Sequence, residues 1–148
     1  MLKSELDAKL DSAYKRYDAI DERLLQKYLS EVYAEWQSIR LRGSATLGPL
    51  EEYFRSIGES DVRFLGWNLE SSQRDSELWK RFDGVDPSLS REFKERLDSL
   101  ESTWRKKRTE AGASLEKERE SLRNEYKLQL EKRKFRNEQI KSWRESLS

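Results

Sequence analysis

The amino-acid sequence predicts an all-α protein, built as an elongated helical hairpin or bundle of two long helices, partly coiled-coil, with short middle helices at one end. Three observations carry this. Val and Ile together number only seven of 148 residues, whereas sheets favour β-branched side chains. Leu, Glu, Lys, Arg and Ser dominate instead, and most of these are good helix formers. Charged residues make up 40% of the chain, and Leu, Ile, Val and Phe number 32. That supply cannot fill a round core, but it can fill narrow stripes along helices. Thirdly, apolar residues recur at helical spacing through both the first and the last third of the sequence. A net charge of +1, with five Trp, six Tyr and five Phe, separates the chain from disordered sequences, which are poor in aromatics. At this length a single domain, residues 1–148, is expected.

The first long helix is predicted over residues 1–42. Its stripe of Leu6, Leu10, Ala13, Tyr17, Ile20 and Leu24 has near-heptad spacing. It continues through Tyr28, Val32, Trp36 and Ile39 with mostly four-residue steps. Ser4 followed by Asp7 resembles a capping box, and Gly43 is a candidate C-cap. A helix of this extent spans roughly 60 Å.

Residues 43–85 are read as short helices and loops. Gly48-Pro49 restarts a helix, with Pro at the first helical position and Glu51 and Glu52 in the first turn, where the helix dipole favours them. That helix is expected to end near Gly58. A further segment runs from Ser60 or Asp61 to Phe82, as one helix or two divided at the polar patch Glu70–Ser76, and closes at Asp83-Gly84.

Residues 86–148 are predicted to form a long basic amphipathic helix. Asp86-Pro87 supplies an N-cap followed by Pro at the first helical position. An eleven-residue repeat organises the stripe: Phe93, Trp104, Leu115 and Tyr126 form one series, and Leu100, Ala111 and Leu122 a second. Leu97, Arg108, Arg119 and Leu130 form a third, half filled by arginine. Eleven residues in three turns lie close to the twist of a straight helix. Gly112, within the small-residue run Ala111-Gly112-Ala113-Ser114, is the one place where a break is expected to compete with continuity.

Composition narrows the function classes. Without His or Cys there is no imidazole base, no thiolate nucleophile and no zinc site of His or Cys type. No phosphate-binding glycine loop or calcium-loop spacing occurs. Carboxylate pairs such as Asp18 with Asp21 and Glu22 belong to a solvated charged face. The chain is therefore expected not to be an enzyme and to use no cofactor or metal. It lacks an apolar run long enough to span a bilayer and a signal-peptide pattern at its start, so a cytoplasmic location is expected.

Charge is unevenly spread. Residues 43–102 carry net −5 and residues 103–148 net +6. Two basic clusters lie in the last helix, Arg105-Lys106-Lys107-Arg108 beside Trp104, and Lys132-Arg133-Lys134 with Arg136 around Phe135. Trp36, Trp79 and Trp104 fall on helical stripes and are expected in the core. Trp143, near the end of the sequence, needs a partner for burial. With Phe135, Ile140 and Leu147 it is the expected protein interface. The function predicted is helix–helix protein interaction, by self-association or with another helical protein, in an oligomeric assembly or adaptor. Nucleic-acid binding through the basic clusters is the alternative. A membrane surface is disfavoured because the apolar stripe is narrow.

Overall fold

A computed structural model describes residues 2–56 and 76–147. These form four helices: α1 (Leu2–Arg42), α2 (Gly48–Ser56), α3 (Ser76–Val85) and α4 (Pro87–Leu147). Among the described residues there is no strand. The predicted helical positions Phe64, Leu65, Trp67 and Leu69, and the expected stop at Gly58, lie outside the described residues.

The predicted fold class is the observed one. Two long helices, of 41 and 61 residues, pair antiparallel in a hairpin-like arrangement, with short helices between them in sequence. The chain divides into two compact units, one comprising residues up to Asp21 with those from Thr109 onward, the other Glu22–Arg108.

Glu22–Arg108 holds the larger core. Trp36 of α1, 1% exposed, is its centre. It meets Phe54 of α2 edge-on at 5.8 Å, Phe82 of α3 at 6.2 Å and Phe93 of α4 at 5.6 Å. One indole therefore ties all four helices, a use of large aromatic area that suits a chain with few aliphatic residues. Trp79 packs on Phe82 and Phe93. Tyr28 and Trp104 stack in parallel, 4.7 Å between ring centroids. Exposed ion pairs bind the rim, Arg42 to Glu92 at 2.8 Å and Arg96 to Glu35 at 2.9 Å.

Turn chemistry explains the chain reversals. Gly43 donates its N–H to the Ile39 carbonyl, and its own carbonyl accepts from Thr46 and Leu47. A Cβ at Gly43 would meet Leu47 Cδ1 and Leu89 Cδ1 at 2.7 Å, so this glycine makes room for core Leu47 and half-buried Leu89. Asp86 caps α4 as predicted: its Oδ1 accepts from the Leu89 N–H at 3.1 Å. Its Oδ2 accepts from the Thr46 hydroxyl at 2.9 Å, joining two turns through one carboxylate.

Several expectations change in detail. Ser4 lies inside α1, which begins at Leu2, so it is not the N-cap. α2 starts at Gly48, one residue ahead of Pro49. α3 runs through Gly84 to Val85, and the Asp86 N–H still bonds the Phe82 carbonyl at 2.9 Å, so the helical ladder continues past Asp83-Gly84. α4 is continuous through Gly112, so the competing break does not occur.

The near-heptad stripe of α1 faces inward at Leu6, Leu10, Ala13, Tyr17 and Leu24 and fails at Ile20. Ile20 is 45% exposed, while Asp21 is half-buried. The series Leu6, Tyr17, Tyr28 and Ile39, and the series Leu10, Asp21 and Val32, are all buried or half-buried, each at an interval of eleven. α1 thus follows the same register as α4. A helix of 3.6 residues per turn drifts about 20° over a seven-residue repeat and about 20° over an eleven-residue one, so the longer repeat drifts less per residue, and Asp21 turns inward where the heptad would place Ile20.

Candidate functional site: the terminal face of the last helix

The unit formed by the first half of α1 and the later part of α4 is a narrow seam. Ala13 and Leu115 are buried, and Leu6, Leu10, Tyr17, Leu122 and Tyr126 are half-buried. Small side chains let the helices approach: a Cβ at Gly112 would sit 4.0 Å from the Tyr17 hydroxyl. Charged groups flank the seam. Arg16 pairs with Glu118. The Arg119 guanidinium lies over the Tyr14 ring at 5.0 Å and binds Glu116 at 2.6 Å, while its Nε is buried without a hydrogen-bond partner among the described residues. The arginine that interrupts the eleven-residue series is thus accommodated by ring stacking and an adjacent carboxylate.

The seam ends in a groove where Leu2 and Leu6 face Leu122, Tyr126 and Gln129. Beyond Gln129 every residue from Leu130 to Leu147 is exposed. The seventeen residues 131–147 extend α4 by about 25 Å.

All four side chains predicted as an interface lie in this exposed stretch. Trp143 is 63% and Leu147 69% exposed. Helical geometry groups three of them. Ile140, Trp143 and Leu147 follow i, i+3, i+7 spacing and share one face. Ile140 and Leu147 stand eighteen residues, or five full turns, past Leu122 and Gln129, so this face continues the one packed against α1. Phe135 does not join them; it falls on a flank seven residues from exposed Leu128.

The two basic clusters have different surroundings. In the first, Arg105 pairs with buried Glu101 at 2.7 Å and Arg108 lies over the Trp104 ring at 4.9 Å. Lys107 is half-buried, lining the groove beside Tyr28, and Lys106 is exposed. In the second, Lys132, Arg133, Lys134 and Arg136 are all exposed.

In the terminal stretch the carboxylates are confined to one side of the helix. Lys132, Arg133, Arg136 and Arg144 fall within the same arc of roughly 120° as Ile140, Trp143 and Leu147. Glu131, Glu138 and Glu145, spaced seven apart, fall on the opposite side, together with Lys134 and Lys141. Reading the basic residues as linear clusters misses Arg144 and this separation. The seven-residue spacing of the glutamates is the signal that reveals it.

No helix among the described residues is long and apolar enough to cross a membrane. Comparison with protein-family models, curated proteins and solved structures finds no match to this chain.

Proposed function

We propose that this chain is a non-enzymatic assembly or adaptor protein that works by packing its helices against those of other protein chains. The observation that carries this reading is the terminal stretch of α4, where a face packed against α1 as far as Gln129 runs on as exposed Ile140, Trp143 and Leu147. An exposed apolar stripe that continues a helix-packing register suits another helix. Sedimentation tests it directly. The expected result is a mass that rises with concentration, or a stable complex with another protein, lost when residues 131–147 are removed. A strictly monomeric chain whose terminal residues are protected within the monomer contradicts it.

Nucleic-acid binding is the alternative reading, supported by the exposed cluster Lys132, Arg133, Lys134 and Arg136. The engagement of Arg105 and Arg108 with Glu101 and Trp104 favours the protein reading. DNA or RNA binding at ~50 mM salt, reduced when Lys106, Lys107, Lys132 and Lys134 are neutralised, is what the alternative requires.

A further inference from the structure

We infer that the partner of the terminal face is an acidic amphipathic helix of another protein, with an apolar stripe flanked by Asp and Glu. This rests on the helix-packing reading above and specifies its chemistry. Two observations support it. The face bearing Ile140, Trp143 and Leu147 carries four cations, Lys132, Arg133, Arg136 and Arg144, while Glu131, Glu138 and Glu145 are all turned away. The same face continues the groove in which α1 packs on α4, so its geometry already suits a helix.

Charge decides between candidate occupants. Two copies joined through this face would bring four cations against four, and like charges across a helix interface are destabilising. An acidic helix meets the same cations favourably and buries the same apolar trio, with Trp143 as anchor. A polyanion such as nucleic acid would satisfy the cations, yet it gives Ile140 and Leu147 nothing to bury against.

The test uses the full chain in its native cell, with p-benzoyl-phenylalanine, a photo-crosslinking amino acid that keeps an aromatic side chain at the anchor, in place of Trp143 and, separately, in place of Glu138. The crosslinked peptides are then sequenced. The expected product from position 143 is one protein, joined through a helix whose apolar stripe is flanked by acidic residues, with little product from position 138. Arg136→Glu combined with Arg144→Glu should lower the yield about tenfold, as loss and reversal of charge pairs at an interface would. Both positions are exposed, and circular dichroism verifies that the variant keeps its helix.

Crosslinks to a second copy, or to a helix without acidic flanks, overturn the acidic partner and leave helix packing standing. Crosslinks to nucleic acid, equal yields from positions 143 and 138, or no crosslinked protein alongside a monomeric sedimentation mass, overturn both.

Discussion

The two units share one eleven-residue register but fill it differently. In Glu22–Arg108 the inward positions hold Tyr28, Val32, Trp36, Ile39, Phe93, Leu97 and Trp104, all buried. In the unit made from the start of α1 and the end of α4, the corresponding positions hold Leu6, Tyr17, Arg119, Leu122 and Tyr126, all half-buried, around a small buried centre of Ala13 and Leu115. Periodicity sets which positions face inward, and side-chain size and charge set how much each is worth. Burial of apolar area contributes about 25 cal/mol per Å², so the aromatic unit should dominate stability and the seam should open first. Local opening free energies in proteins commonly grade in this way.

Substitutions can break or sharpen that contrast. Trp36→Ala removes the indole that joins four helices and should have the largest effect, about 3–5 kcal/mol in urea unfolding. Leu115→Ala, in the seam, should cost less, about 2 kcal/mol, because its neighbours are partly open to solvent and few contacts are lost. An equal cost at the two sites would abolish the distinction. Gly112→Ala should stabilise the chain by roughly 0.5–1 kcal/mol, since α4 is continuous there and the added methyl meets only the Tyr17 hydroxyl at 4.0 Å. Destabilisation by this change would indicate a bend at Gly112.

The smallest effect is on pH dependence. The Ser90 hydroxyl and then Lys94 hold the Asp83 carboxyl below its ordinary range, against the opposing pull of burial. Hydrogen bonding from Arg42, with its charge and that of Arg96, does the same for Glu92. A carboxylate depressed in the folded state contributes stability that is present above its unfolded value, about 4, and is lost as pH falls through the folded one. Both groups lie in Glu22–Arg108. Acid titration followed by tryptophan fluorescence should therefore show a modest loss of stability below pH ~4, diminished in Glu92→Gln.

Much of this architecture is legible in the amino-acid sequence, for identifiable reasons. Asp86-Pro87 marks a helix start by local chemistry alone, and the Asp86 cap forms as expected. Trp36, Trp79 and Trp104 occupy stripe positions and are buried. What escapes a count of apolar residues is the inward polar group. Glu101 is buried because Arg105 on the next turn pairs with it, and Ser90 because Asp83 accepts its hydroxyl. Asp21 takes the inner place over Ile20 through register, which four-residue steps from Leu24 onward foreshadow. The terminal face was readable as four apolar residues; its limits and its freedom from carboxylates required the continuous helix, which separates Phe135 from Ile140, Trp143 and Leu147.

Hydrogen exchange on the dilute, isolated chain bears most directly on whether the end of α4 is available to a partner. Amides of residues 131–147 should exchange orders of magnitude faster than those of 93–104, with residues 111–129 between them. Equal protection of 131–147 and 93–104 in a monomer would mean that the terminal face is already covered within the chain, and would contradict its proposed role.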